Sequence, residues 1–277
     1  MLKIDKIKLS VIDAFAQRPF TGNPAACVLT EEPLDEKTMQ NIAMEMNLSE
    51  TAFAVPLKNK PNEFQLRWFT PIREVPLCGH ATLAMAHYLN SNPNIKIDSE
   101  IIFHTLSGAL AVTFKENKIT MDFPAAPLNL ITEDVGELSD WIESILLTDE
   151  FKVLGTANQY LFVELKDVQA VETLEPAIHL IKELPYLGVG FSCPAKDGNG
   201  YVCRFFAPAV GIEEDPVTGS AHVVLGPHYA QELNKSEVVG TQLSKRGGKI
   251  MVRPQNLRVF LTGQAVTIYQ AEMNLKE

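Results

Sequence analysis

The sequence predicts an α+β protein built from two similar halves, each a curved mixed sheet around one buried helix. Three observations predict it. Strand-like and helix-like segments are interleaved along the chain. Short motifs recur at a nearly constant offset. A helical segment apolar on almost every side follows the first glycine turn, and the second half repeats the order with a helix in the same place. The offset is the strongest of the three. Arg67-Trp68-Phe69-Thr70-Pro71 has a partner in Arg204-Phe205-Phe206-Ala207-Pro208. Pro76, Gly79 and Ala81 match Pro216, Gly219 and Ala221 at an offset of 140 residues. The same offset carries Gly108, Leu110, Val112 and Ile119 onto Gly248, Ile250, Val252 and Val259, while upstream, near Pro56 and Pro194, it slips by a few residues. Self-similarity sustained over such a stretch is the mark of a repeated structural unit. The halves are placed at 1–125 and 126–277, with the last strands able to pack back on the first half.

The elements follow in order. Ile7–Phe15 and Ala25–Leu29 are strands, rich in β-branched and apolar residues. Residues 35–46 form a helix, since Met39, Ile42, Ala43 and Met46 recur at helical spacing and Asp35 can cap the start. Thr51–Pro56 and Phe64–Phe69 return to strand. Ala81–Leu89 is apolar nearly all round, which predicts a helix buried on every side. Ile101–Phe103, Leu110–Phe114 and Lys118–Phe123 are strands, with Glu116-Asn117 as a hairpin turn. The second half repeats this with strands near 151–165, a helix near 171–183, strands to Phe206, a helix over Ser220–Leu233, and strands from Lys249 to Tyr269.

Composition narrows the function. The chain has 277 residues, 46% hydrophobic and 21% charged, an ordinary globular balance. The net charge of −10 argues against nucleic acid and against an anionic membrane surface as partners. No run of 18 apolar residues predicts a membrane helix. The opening segment alternates and carries charges, so it reads as a strand and not as a signal peptide. Cys27, Cys78, Cys193 and Cys203 form no metal-binding spacing and read as reduced thiols of a cytoplasmic protein. The sequons at Asn47 and Asn234 are then chance matches. There is no phosphate loop, dinucleotide fingerprint, GxSxG elbow or HExxH. The histidines, His80, His87, His104, His179, His222 and His228, show no ligand spacing, so no metal site is expected.

Chemistry concentrates at two turns that lead into helices, Leu77-Cys78-Gly79-His80-Ala81-Thr82 and Val217-Thr218-Gly219-Ser220-Ala221-His222. Glycine there permits close approach to a ligand, and the first amides of a helix form an anion site. Two such turns predict a carboxylate-binding pocket between the halves. Two carboxylates stand near them. Glu50, between a helix and an apolar strand, is either a proton carrier or a solvated strand end. Asp215, just ahead of the second turn, is either a proton carrier or a helix N-cap. His80 reads as a core histidine, a cap or a general acid. Cys78 reads as a small buried hydrophobe or, beside a helix N-terminus, as a nucleophile or base.

These motifs resemble the PhzF family, the phenazine-biosynthesis-like isomerases. The resemblance runs through Val11-Ile12-Asp13-Ala14-Phe15, Phe20-Thr21-Gly22-Asn23-Pro24-Ala25 and Asn47-Leu48-Ser49-Glu50-Thr51. It continues through both helix-leading turns, Met121-Asp122-Phe123-Pro124-Ala125 and Arg246-Gly247-Gly248. It implies the diaminopimelate-epimerase fold, with barrel-like halves and an active site in the cleft. It implies Glu50 as the catalytic glutamate, with His80, Asp215 and Ser220 around the substrate, and Gly79, Ala81, Gly219, Ala221, Cys78 and Thr218 lining it. The implied reaction is proton transfer within a small carboxylate-bearing metabolite, without metal or organic cofactor. The expected partners are that substrate and, in a homodimer, a second copy of the chain. The same fold hosts racemases that use two cysteines. Cys78 occupies the first such place and Thr218 the second, so a one-base racemase or epimerase using Cys78 is the rival enzyme. A non-catalytic small-acid-binding or interaction protein is the rival outside enzymology.

Overall fold

The computed structural model describes residues 5–93, 95, 100–131 and 135–275. In chain order the elements are β1 (Lys6–Ala14), β2 (Asn23–Leu29), α1 (Glu36–Met46), β3 (Glu50–Pro56), β4 (Glu63–Phe69), β5 (Glu74–Val75), α2 (Gly79–Ser91), β6 (Glu100–Thr105), β7 (Gly108–Lys115) and β8 (Lys118–Pro124). Then come α3 (Val135–Leu146), β9 (Phe151–Ala157), β10 (Tyr160–Leu165), α4 (Val168–Glu172), α5 (Ile178–Glu183), β11 (Gly188–Pro194), β12 (Gly200–Ala207), β13 (Ile212–Asp215), α6 (Gly219–Glu232), β14 (Val238–Gln242), β15 (Gly248–Gln255), β16 (Arg258–Gly263) and β17 (Ala265–Asn274). The chain divides into two compact units. One runs to Asp122 and resumes at Thr262, and the other spans Phe123–Leu261. The break thus falls three residues before position 125, and β17 returns to the first unit, where it pairs with β1.

Strand pairing repeats the same pattern in each unit. In the first, β1–β2 is antiparallel, β2–β3 parallel, β3–β4 and β4–β5 antiparallel, β4–β6 parallel and β6–β7 antiparallel. In the second, β9–β10, β10–β11, β11–β12, β12–β13, β12–β14 and β14–β15 follow the same sequence of senses. The repeat read from the motifs is therefore a repeat of topology. The parallel steps each need a crossover. α1 supplies the one from β2 to β3, and α2 the one from β4 to β6. In the second unit α4 with α5, and then α6, fill the same places.

The central helices are buried as their composition demands. In α2 every residue from His80 to Ala86 is buried, and Leu89 with them. In α6 the buried set runs from Ala221 to Gly226 and includes Tyr229 and Ala230. A Cβ on Gly226 would lie 2.2 Å from Val252 Cγ1, so glycine lets β15 pack directly on the helix backbone. Pro227 follows inside the helix and removes one backbone donor. Among the described residues no helix is long and apolar enough to cross a membrane.

Two segments differ from the sequence reading. The helix expected near 171–183 is two short helices, because Pro176 has no N–H and pushes Glu175 out of helical backbone. Asp167 caps α4 by accepting the Ala170 N–H at 2.8 Å. No element was expected at α3, yet Ile142 and Ile145 anchor it in the core of Leu161, Val163, Val189, Phe191 and Phe206. In the first unit the corresponding core packs Met39, Ile42 and Ala43 of α1 on Val11, Val28, Phe53 and Phe69. Each valine, leucine, isoleucine, methionine or phenylalanine among these contributes about 1.5–3 kcal/mol on burial.

A charged clamp sets each approach to a central helix. Arg67 grips Glu74 through Nε and Nη2, both at 2.6 Å, and lies over Phe69 at 5.1 Å. Arg204 grips Glu214 at 2.7 and 3.0 Å and lies over Phe206 at 5.1 Å. The connection inside the second clamp holds an extra 3₁₀ turn, Pro208–Val210, closed by Gly211 with φ +89°. It is three residues longer than in the first clamp, which accounts for the upstream slip in the offset.

Candidate active site

The first helix start gathers three reactive groups. Cys78 is the N-cap of α2 in extended backbone, with no side-chain capping bond. Its carbonyl takes the Thr82 N–H at 3.2 Å and the Thr82 hydroxyl at 2.5 Å. The amides of Gly79, His80 and Ala81 have no acceptor within the helix and carry its positive end. His80 is buried, and its Nδ1 lies 3.3 Å from Asn23 Nδ2 and 3.5 Å from Cys78 Sγ. Its Nε2 lies 3.2 Å from Glu50 Oε2, but off-line, so that nitrogen makes no hydrogen bond. The side chains of His80 and Glu50 are 7% and 14% exposed. Burial pushes His80 down to about 3, so the imidazole is neutral at neutral pH. With the Asn23 amide nitrogen facing it, Nδ1 is the acceptor and the proton sits on Nε2.

Local geometry places Glu50. α1 ends at Asn47, in left-handed backbone with φ 49°, whose N–H bonds Ala43 O. The chain turns there and β3 begins at Glu50, in parallel register with Ala25 of β2. Asn23, two residues earlier on β2, brings its amide to His80. Glu50 is therefore not a solvated strand end.

The second helix start is equipped differently. The N-cap is Thr218, not Asp215. Asp215 is buried at the end of β13 and accepts the Thr218 hydroxyl at 2.5 Å. The Thr218 N–H donates to Gln242 Oε1 at 2.8 Å, and Gln242 Nε2 donates to Asp215 O at 2.6 Å. Gly219 and Ala221 are buried in the first turn, and Ser220 is half-buried. Two residues on, His222 Nδ1 lies 2.6 Å from Tyr201 Oη, and Nε2 lies 3.9 Å from Cys203 Sγ. Burial pushes His222 down to about 4 and raises the Tyr201 phenol well above its ordinary value, so the phenol donates and the imidazole accepts. A Cβ on Gly240 would lie 2.3 Å from His222 Nδ1, which is why β14 carries glycine there.

Glu50, Cys78 and His80 thus come together with the amides of Gly79 and Ala81. Asp215, Thr218 and Ser220 stand together at the start of α6 with Gly219 and Ala221. Asn23, Gln242 and Tyr201 also belong to these arrangements, and no role was assigned to them from sequence. Asn23 lies inside a quoted motif, so a signal for it existed. Gln242 and Tyr201 reach the helix through strand pairing and leave no local signal. All four cysteines are buried and none is in a disulfide. Burial raises the Cys27 and Cys203 thiols and pushes Cys193 up to about 12. Only Cys78 stands at a helix start. Among the described residues two triples could hold a metal ion, Glu50–Cys78–His80 and Glu164–His228–Glu232, each with one ligand atom per residue within 4.8 Å of the others. In the first, the thiol approaches Nδ1 and the carboxylate Nε2, so the imidazole stands between them.

The sequence matches the phenazine biosynthesis-like protein family, PhzC-PhzF, over residues 12–271. The chain belongs to this family. An uncharacterized isomerase of Halalkalibacterium halodurans is 40% identical, the match covering 96% of this chain and 97% of the relative. The phenazine biosynthesis-like domain-containing protein of Homo sapiens is 38% identical over 97% of this chain and 99% of its own. The crystal structure of a PhzF family protein from Enterococcus faecalis has a TM-score of 0.86 at 37% identity, covering 98% of this chain and all of that one. A hydroxyproline epimerase from Agrobacterium vitis has a TM-score of 0.66 at 12% identity over 100% of this chain and 95% of that one, and shares the fold. The expected epimerase-like architecture is thus the one observed.

Proposed function

We propose that this PhzF-family chain is an isomerase that moves a proton between carbons of a small carboxylate-bearing metabolite, using its own side chains and no cofactor. The observation that supports this most is the placement of the Glu50 carboxylate 3.2 Å from a buried, neutral His80 at the start of α2. Glu50 takes a proton from one carbon and returns it to another carbon of the same π system. His80, kept neutral by burial, sets no positive charge beside that carboxylate. The amides of Gly79, His80 and Ala81 bind the substrate carboxylate and stabilise the negative charge that develops as the proton leaves. The isomerase named among the relatives agrees with this reaction type.

A second reading has its own observation. Cys78 Sγ stands at the N-terminus of α2, 3.5 Å from His80 Nδ1, where the positive end of the helix favours the thiolate that would make Cys78 the base of a racemase or epimerase. Deuterium wash-in separates the two. Candidate acids are incubated with the protein in heavy water and carbon-bound deuterium is measured. The Glu50 reading expects exchange to survive Cys78→Ser and to fall about 10²–10⁴-fold in Glu50→Gln. The opposite pattern overturns it. Asp215→Asn and Ser220→Ala, measured alongside, report whether the second helix start takes part.

A further inference from the structure

We propose that Glu164, His228 and Glu232 form a divalent-cation site in the second unit, of the class that takes zinc or a similar borderline transition ion. His228 and Glu232 are four apart on α6 and share one face, while Glu164 comes from β10. One ligand atom from each lies within 4.8 Å of the others. A second observation points to a missing ligand. His228 Nε2 is shielded from solvent and has no hydrogen-bond partner, although Glu232 Oε2 is 3.5 Å away. A buried ring nitrogen left so is costly, and a cation between the three groups satisfies it.

The surroundings suit ligation. Tyr229 Oη lies 3.1 Å from Glu164 Oε2, and the Tyr229 ring meets the His228 ring edge-on at 4.9 Å. One residue thus orients two ligands, as the supporting groups of metal sites do. Two carboxylates offset the charge of a divalent ion. A nitrogen donor beside two oxygens favours zinc over calcium or magnesium, and the lack of sulfur disfavours copper(I). The Glu232 side chain is 44% exposed, so an ion can enter. The two helix ligands, His228 and Glu232, follow Pro227, where α6 has lost a backbone donor, so the ion would tie the last turn of the helix to Glu164 on β10. This role is structural and independent of the Glu50 reading.

The test is a zinc titration of the tag-free, chelator-stripped full chain, followed by calorimetry and thermal melting. Zinc at about a hundredfold excess over Kd should raise Tm by about 5 °C or more. His228→Gln and Glu164→Gln should weaken binding at least about tenfold, and the half-exposed Glu232→Gln should do the same without endangering the fold. Cys78→Ser should bind as the parent does. Cobalt in place of zinc should show ligand-field bands without a thiolate charge-transfer band. No zinc-dependent shift in the parent overturns the proposal. So does binding that survives His228→Gln and Glu232→Gln, or binding that is lost in Cys78→Ser with a thiolate band, which would put the ion at Glu50–Cys78–His80.

Discussion

The two helix starts share a scaffold and differ in their equipment. Each follows an arginine–glutamate clamp over a phenylalanine and opens a buried helix with glycine. At the start of α2 the N-cap is a thiol without a capping bond, and a buried imidazole faces a carboxylate from another strand. At the start of α6 a threonine, an aspartate and a glutamine satisfy one another. At the offset of 140, His80 is matched by Ser220, and Thr82 by His222. The histidine has moved by two residues, and from a contact with a carboxylate to a contact with a phenol. The fold fixes where two helices begin. The side chains decide how each start is equipped, one gathering a carboxylate, an imidazole and a thiol, the other bonding a threonine, an aspartate and a glutamine to one another.

The largest test of this contrast is kinetic. Glu50→Gln should lower turnover about 10²–10⁴-fold. Asp215→Asn should cost about tenfold, because its carboxylate is engaged by Thr218 and the change weakens one hydrogen bond. Single-turnover rates with a substrate in hand decide it. Equal losses in the two variants would erase the distinction between the starts.

The buried histidines give the next effect. Both are neutral in the fold, with His80 pushed down to about 3 and His222 to about 4. Unfolded, each takes a proton near its ordinary value of about 6.5. Above that pH both states are neutral and nothing is lost. Below it the unfolded chain binds protons that the fold refuses, so stability falls as pH drops towards the folded values. Each histidine contributes up to about 1.4 kcal/mol per pH unit. Urea melts between about pH 6.5 and about pH 5 should show the slope, reduced by one histidine's share in His222→Gln and in His80→Gln. A variant that keeps the full slope has the wrong histidine assigned as buried and neutral.

The same comparison shows what a sequence carries. The repeat was legible because clamp, glycine turn and buried helix recur in order. The Asp35 cap and the all-round apolar α2 were legible because their signals are local. The division of α4 from α5 was present in Pro176, which the expectation of one helix near 171–183 left out of account. α3 has no counterpart among the described residues of the first half, so the repeat is silent on it, though its apolar spacing at Leu138, Ile142, Ile145 and Leu146 is helical. At the site, Glu50, Cys78 and His80 lay in motifs. Gln242 and Tyr201 did not, because β14 and β12 reach the helix through pairings distant in sequence.

The clamps come third. The Arg204 side chain is 14% exposed and that of Arg67 is 26%. Arg204 also donates to the Leu174 carbonyl. Arg204→Met strands both acceptors and should cost about 2 kcal/mol, while Arg67→Met, nearer solvent, should cost about 1 kcal/mol. Denaturant midpoints at constant m-value measure the difference. A larger loss at Arg67 would mean that the shorter connection, and not the buried one, depends more on its clamp.

The smallest effect concerns the crossover helices ahead of the central ones. Asp35 caps α1 by accepting the Thr38 N–H at 2.9 Å and the Thr38 hydroxyl at 2.7 Å. Asp167 caps α4 with the Ala170 N–H alone. α1 has 11 residues and puts three in the core, whereas α4 has five and buries Val171. Losing a cap typically costs about 1 kcal/mol. Asp35→Ala should reach that figure, because a whole packed helix depends on its first turn. Asp167→Ala should cost less, about 0.5 kcal/mol, because one turn of helix has little to lose. The hydrogen bonds from Thr38 hold the Asp35 carboxyl below the usual carboxylate range. Its cap is therefore present at neutral pH and fades only as the solution becomes more acid than that range. Paired melts of the two variants at neutral pH measure the ratio. If Asp167→Ala proves the costlier, the short helices of the second unit carry more of its crossover than their length suggests.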